Sequence, residues 1–316
     1  MENEPLVSII MNCYNGEKYL REAIDSAFSQ TYKNWEIIFW DNLSIDNSAK
    51  IAKAYGEKLK YFKGEYFLSL GAARNEALKR SKGNYIAFLD VDDLWSPVKL
   101  ETQIPHFTNT DISLVYTNVI YINKNGDYLS KARNTIKNSS QVKTFYELLV
   151  NYDLVMSSVI ISRSSLNKQE WFDSKLEYAE EYDLFLRIVF SNNAFKVNDY
   201  LTYNRLHEDS VTHTKFYLLS EESSYVIDKI VKIWPEIEND NLPILRIVRD
   251  KIIGQKYLDY ILTRNLKKAR QIIAPIKYNN SKYFLFYLIS FLGIKSVIFL
   301  WKSIRFVKKR GRILGL

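Results

Sequence analysis

Residues 6–42 read LVSIIMNCYNGEKYLREAIDSAFSQTYKNWEIIFWDN. Leu6–Met11 is an apolar, β-branched run of the kind that makes a strand buried on both faces. Glu17–Gln30 then sets Leu20, Ile24, Ala27 and Phe28 on one helical face. Trp35–Trp40 is a second apolar strand. Strand, helix and strand so closely spaced are the unit of a parallel sheet, because parallel neighbours need a crossover. The alternation continues outward. Helices are expected over 44–58, 70–80 and 97–107, and strands over 59–62, 85–89 and 112–122. This order predicts an α/β fold, an open and mostly parallel sheet with helices on both faces. Such sheets bind ligands beyond the carboxyl ends of their strands. Residues 123–142 are polar and read as a long loop. A helix over 142–152, a strand over 155–162 and a helix over 178–190 follow. From 215 onward the pattern is helical, which predicts a C-terminal helical extension.

The chain has 316 residues, 47% apolar and 25% charged, with 10 Gly and 6 Pro. These values exclude a disordered, collagen-like or polytopic membrane protein. The single Cys13 excludes an internal disulfide framework and a Cys-rich zinc site. The N-terminus shows no basic n-region or cleavage site, so a cytoplasmic setting is expected. The net charge of +8 is uneven: residues 215–316 hold 20 Lys/Arg against 8 Asp/Glu, while residues 1–214 are slightly acidic. Within that basic part, Tyr283–Ile294 reads YFLFYLISFLGI and RFVKKRGR follows at 305–312. The apolar run falls short of the roughly 20 residues a membrane-spanning helix needs. It suits a helix lying in an anionic membrane interface, or the core of a small helical domain with a solvated basic end. No nucleic-acid motif accompanies the charge, so no nucleic-acid partner is expected. The domains are expected at 1–214, with halves at about 1–100 and 101–214, and at 215–316.

Five segments carry chemistry. FLDVDDLW at 88–95 ends a buried strand in three carboxylates, Asp90, Asp92 and Asp93. Their repulsion can be offset by a divalent cation such as Mg2+ or Mn2+, for which oxygen ligands suit. The same acids also suit a turn before a helix. WDNLSIDNS at 40–48 follows another strand, and Asp41 and Asn42 there can hydrogen-bond a nucleotide or form a plain turn. LGAARNEAL at 70–78 offers Arg74 for a phosphate, a base edge or a surface ion pair. EYAEEYDLFLRI at 177–188 crowds Glu180, Glu181 and Asp183 into one helical turn. They can interact with the helix dipole, or supply a general base with a raised pKa. YNRLHEDSVTH at 203–213 brings Arg205, His207 and His213. Neither GxxxxGK[ST] nor GxGxxG is present, which argues against a P-loop NTPase or a dinucleotide enzyme.

Taken in order, these segments resemble glycosyltransferase family 2, the inverting nucleotide-sugar transferases with a GT-A fold. WDNLSIDNS is similar to the family's DDGSTDNS-like segment. Arg74 lies in its ARN, Asp90-Val91-Asp92 in its DxD, EEYDLFLR in its ED helix, and YNRLHEDSVTH in its Arg-x-His tail. The resemblance implies that Asn12, Tyr14, Asn42, Arg74 and Asp90 bind the nucleotide. Asp92 and His207 would hold Mg2+ or Mn2+, and Glu181 would be the catalytic base with Asp183 its rival. It implies a nucleotide-sugar donor, a UDP-sugar first, and a glycan or lipid-linked acceptor at the cytoplasmic membrane surface. Asn42 stands where the family often has Asp, and Glu181 where it has Asp. Two other classes stay open: a nucleotidyltransferase making the sugar nucleotide, and a non-catalytic sugar-binding or scaffold protein. The first would carry a Gly-rich loop after the first strand, where this chain has NCYNGEKYL.

Overall fold

A computed structural model describes residues 4–131, 140–166, 171–210 and 215–291. His213 and the basic stretch at 305–312 lie outside the described residues, as do the last three residues of the apolar run 283–294. The chain divides into two compact units, Met1–Phe216 and Tyr217–Leu316, each taken by itself below.

The first unit opens as the sequence predicts. β1 (Val7–Cys13), α1 (Glu17–Phe28), β2 (Trp35–Asp41), α2 (Ser48–Lys53), β3 (Leu59–Lys63), α3 (Leu70–Arg80) and β4 (Tyr85–Phe88) follow one another. β1 pairs in parallel with β2 and β4, and β2 with β3. Val7, Ile9, Met11 and Cys13 alternate onto one face of β1 and share a core with Leu20, Ala23, Ile24 and Ala27 of α1. Burying each larger aliphatic side chain there contributes about 1.5–3 kcal/mol. On the other face α3 comes close, and Gly71 on it leaves no spare room: a Cβ would lie 3.2 Å from the Asp173 carbonyl oxygen and 3.3 Å from Phe172.

The second half of the sheet is mixed. β5 (Leu94–Trp95) follows the acidic turn, then α4 (Lys99–Gln103), β6 (Ile112–Ile122), β7 (Tyr128–Lys131), β8 (Val142–Lys143), α5 (Phe145–Val150), β9 (Val159–Ser162), α6 (Arg163–Leu166), α7 (Glu180–Phe190) and β10 (Asn193–Arg205). The order along the sheet is β3-β2-β1-β4-β9-β6-β10-β5, with β7 on β6 and β8 on β10. β9 runs antiparallel between β4 and β6, and β10 returns parallel to β6. Two differences from the sequence reading stand out. Part of the polar loop 123–142 forms the exposed strand β7, a hairpin turned at Gly126 with φ +88°. The thirteen-residue β10 carries three register shifts against β6. A bulged strand loses its period of two, which is why its sequence shows no alternation.

The second unit holds α8 (Leu219–Ile233), α9 (Glu236–Asp240), α10 (Leu242–Leu262), α11 (Leu266–Ile273) and α12 (Ser281–Ile289). Tyr257, Ile261, Ala269, Ile273, Ile276, Tyr283 and Ile289 form its core. Asn265 and Asn280 cap α11 and α12, accepting from the Lys268 and Lys282 amides. Phe284, Leu285, Leu288 and Phe291 remain 42–55% exposed. Among the described residues, no helix is long and apolar enough to cross a membrane.

Candidate active site

Parallel strands deliver their carboxyl ends to one edge, so the loops after β1, β2, β3 and β4 meet there. The first two are knitted together. The amides of Asn15, Gly16 and Glu17 donate to Ser44 Oγ, Ser48 Oγ and Asp46 Oδ2 at 2.9–3.0 Å. In return the Ile45 and Asn47 amides donate to Asn15 Oδ1 and Glu17 Oε2. Asp41 is fully buried and accepts from the Ser44 amide at 2.8 Å and the Tyr61 hydroxyl at 2.5 Å. The turn needs Leu43 in the left-handed region at φ +67°, a conformation that disfavours a branched side chain.

Asn42 is committed to the protein. Its Nδ2 donates to the Leu68 carbonyl at 2.9 Å, and its Oδ1 accepts from the Leu68 amide at 3.1 Å. The amide therefore pairs with the loop after β3 as another strand would. An aspartate could make only the second bond, which gives a physical reason for asparagine here. The loop so held presents Phe67, 59% exposed, whose ring meets Tyr14 edge-on with centroids 4.9 Å apart. Phe67 is a site residue that the sequence reading missed. Its only signal is an aromatic residue in the short segment before the ARN helix. Asn12, beside Trp40 in the β1–β2 register, has both side-chain polar atoms buried and without a partner among the described residues.

Arg74 is the hub of the site rather than a rim residue. It is 4% exposed, and its guanidinium donates to Glu180 Oε1 and, at 3.1 Å, to Asp90 Oδ1. Burial alone would lower its pKa, but Asp90, Glu180 and Glu181 outweigh this and push it up. The DxD carboxylate at the end of β4 and the acidic start of α7 are thus tied through one cation. Asp90 is also fixed by its main chain, whose amide donates to Ser157 Oγ at 3.1 Å.

The three acids after β4 part company. Asp93 is buried and accepts from Asn204 Nδ2 and the Arg205 amide, which pins the turn to β10. Burial, then the Asp92 and Asp90 charges, hold its carboxyl well above the usual range. Asp92 turns to His207, with Oδ2 2.8 Å from Nε2. Arg205 fastens this corner by donating to the Asp92 carbonyl at 2.9 Å and to Glu22 Oε2 at 2.8 Å. Asp92 and His207 supply one oxygen and one nitrogen donor at a single place, the donor types that Mn2+ and Mg2+ sites draw on. No group of three or more metal-ligating side chains is gathered among the described residues. Completing a shell would therefore fall to substrate oxygens and water.

The start of α7 separates its acids as well. Glu180 faces Arg74. Asp183 is fully buried and accepts from Arg187 Nη2 at 2.7 Å and Nε at 3.1 Å. Glu181 alone is partly open. Burial, then Glu180, push its carboxyl up to about 8, with Arg74 pulling the other way. A carboxyl near that value gains or loses its proton close to neutral pH.

Comparison with known proteins identifies the family and the fold. The family model described as Glycosyl transferase family 2 matches residues 8–174. The chain is 34% identical over 223 residues, 69% of its length, to the Escherichia coli UDP-Glc:alpha-D-GlcNAc-diphosphoundecaprenol beta-1,3-glucosyltransferase WfgD, covering 83% of that protein. Among solved structures, S. aureus TarS 1-349 in complex with UDP-GlcNAc superposes with a TM-score of 0.65 at 20% identity, over 86% of this chain and 79% of that one. Against a longer TarS structure the chain spans 39% of that protein. The mannosyltransferase PcManGT from Pyrobaculum calidifontis, solved with GDP-Man and Mn2+, superposes with a TM-score of 0.62 at 14% identity, over 95% and 88%. The family match begins in β1, takes in Arg74 and Asp90 and ends before α7, and the chain belongs to glycosyltransferase family 2, with the GT-A fold.

Proposed function

We propose that the chain is an inverting glycosyltransferase that moves a sugar from a nucleotide donor, a UDP-sugar first, to a hydroxyl of a lipid-linked glycan in surface polysaccharide assembly. The observation that carries this reading is Arg74 joining Asp90 to the Glu180–Glu181 turn. That link supports reading Asp90 as a donor-side acid and the neighbouring, partly open Glu181 as a base of the same site. The orphaned amide of Asn12 and the Tyr14–Phe67 pair suit a nucleobase, the rings by stacking and the amide by hydrogen bonding. The E. coli relative, named for transfer from UDP-Glc to a diphosphoundecaprenol-linked sugar, supports the donor and acceptor classes.

In this mechanism Glu181 takes the proton from the acceptor hydroxyl as that oxygen attacks the anomeric carbon from the face opposite the diphosphate. The bond to the leaving phosphate oxygen breaks, and the configuration inverts. Asp183, sealed against Arg187, takes no part. Asp92 and His207 would hold Mg2+ or Mn2+. When bound, that cation would neutralise charge on the departing diphosphate. Asp93 and Arg205 keep this corner rigid. The basic second unit would hold the enzyme at the inner face of the cell membrane. Phe284, Leu285, Leu288 and Phe291 would enter the interface there, with lysines around them meeting anionic lipid.

The test is transfer from UDP-, GDP- and dTDP-sugars to a short-chain lipid diphosphate-GlcNAc, with the product's anomeric configuration read by NMR. Inverted product from a UDP-sugar, abolished in Glu181→Gln and strongly reduced in Asp92→Ala, is the expected result. A retained configuration would overturn the mechanism. An undiminished Asp92→Ala enzyme would overturn the metal assignment. Flotation with anionic vesicles should be lost in Leu285→Glu/Leu288→Glu.

A further inference from the structure

Two residues of α1 meet the chain where it leaves β10. Tyr19 and Glu22 lie three apart, on one face of the helix. Glu22 Oε2 accepts from Arg205 Nη2 at 2.8 Å. The Arg205 guanidinium also stands over the buried Tyr19 ring, 4.5 Å from its centroid. The His207 ring lies against the same tyrosine, with centroids 5.1 Å apart and planes at 50°. Residues two apart in extended chain point to one side, and Leu206 between Arg205 and His207 is exposed. A histidine that ligates a metal normally has its other ring nitrogen held by a hydrogen bond, which fixes the ring. His207 lacks that support. Its Nε2 faces Asp92 Oδ2 at 2.8 Å, while Nδ1 is buried and has no hydrogen-bond partner among the described residues. The Asp92 contact cannot replace it, because a cation held by both groups needs the lone pair of Nε2 and not its proton. Packing against Tyr19 does not depend on where that proton is.

We propose that Tyr19 is a positioning residue for cation binding: its ring, set against both Arg205 and His207, holds the imidazole with Nε2 toward Asp92, the task that a hydrogen bond to Nδ1 performs elsewhere. Arg205 completes the frame. It donates to the Asp92 carbonyl at 2.9 Å and to Glu22, so the backbone of one donor and the ring of the other are both tied to α1. The inference rests on the reading of Asp92 and His207 as donors to Mg2+ or Mn2+. It adds that the first helix of the fold sets their geometry before any ligand arrives.

The experiment compares Tyr19→Leu, Tyr19→Phe, His207→Gln and the unaltered full-length protein. Binding of Mn2+ in the presence of UDP is followed by the EPR signal of the free ion, and the histidine rings of the metal-free proteins are followed by 1H–13C NMR. Tyr19→Leu should weaken Mn2+ binding about 10-fold or more, the usual effect of losing a group that orients a ligand, while UDP binding in EDTA stays as it was. Tyr19→Phe keeps the ring and should bind Mn2+ as the unaltered protein does. The chain has three histidines, so the His207 signals are identified by their loss in His207→Gln. They should move in Tyr19→Leu, whereas those of His106, stacked on Phe195 at 4.1 Å, should not. A purely structural role would lower the melting temperature and leave both Mn2+ affinity and the His207 signals unchanged. Unchanged affinity or unmoved His207 signals in Tyr19→Leu, beside lost binding in His207→Gln, would overturn this inference alone, as would weakened binding in Tyr19→Phe. Undiminished binding in His207→Gln, or none in the unaltered protein, would overturn it together with the reading of the cation site. If Tyr19→Leu does not fold, the unaltered protein decides: an NOE between the Tyr19 and His207 rings should be present and persist with Mg2+ and UDP, and its absence or loss would overturn the inference.

Discussion

Glu181→Gln tests the electrostatics of the site without any substrate. In the fold the Glu181 carboxyl sits at about 8, against an ordinary value of 4.5. The folded chain therefore holds its proton more tightly than the unfolded chain across that window. Stability must then fall as pH rises from about 4.5 to about 8, and level off above it. At about 1.4 kcal/mol per pH unit the full displacement would cost on the order of 5 kcal/mol. Because the side chain is partly open to water, which screens it, ~2 kcal/mol is the reasonable expectation at pH 9. Glutamine keeps the shape and carries no charge at any pH. Below pH 4.5 the two proteins should melt together. By pH 9 the variant should melt roughly 4–8 °C higher, given the usual conversion for a unit of this size. Melting curves at half-unit pH steps measure the difference directly. A gap that does not grow between pH 5 and 9 would refute the reasoning, because then the carboxylate is not strained by Glu180 and burial. A gap that shrinks would mean that Arg74 dominates.

Three further outcomes follow from the same geometry. Arg74→Met leaves Glu180 buried without its partner, so about 3–5 kcal/mol of stability should be lost, with transfer abolished even at temperatures where the variant stays folded. Asn42→Asp loses the donor to the Leu68 carbonyl and sets a charge against it; the loop bearing Phe67 should loosen, and the donor KM should rise about 10-fold while kcat at saturation changes little. Leu43→Asn should raise the melting temperature by a degree or two, because asparagine tolerates φ +67° better than leucine, a relief of about 0.5–1 kcal/mol.

The parallel half of the sheet was readable from residues because it is built from local signals. β1, β2 and β4 are buried runs, and α1 shows its apolar face within a dozen residues. Gly83 closes the turn into β4, where a Cβ would lie 2.5 Å from the Ser8 nitrogen. The second half was harder to read. β10 has bulges and β7 is exposed on a polar segment, so neither has the period that marks a strand.

By itself the sequence determined which chemistry is present: acids after β4, an arginine on α3, acids opening α7 and a histidine after β10, at spacings that follow from covalent order. Only the tertiary structure decided how that chemistry is divided. Asp93 and Asp183 look equivalent to Asp92 and Glu181 in the chain, yet the first pair is buried on Arg205 and Arg187 while the second pair stays partly open. Asn42 resembles a base reader until its amide is seen paired with Leu68. A carboxylate's role follows from its neighbours and its access to water, and both are properties of the folded whole.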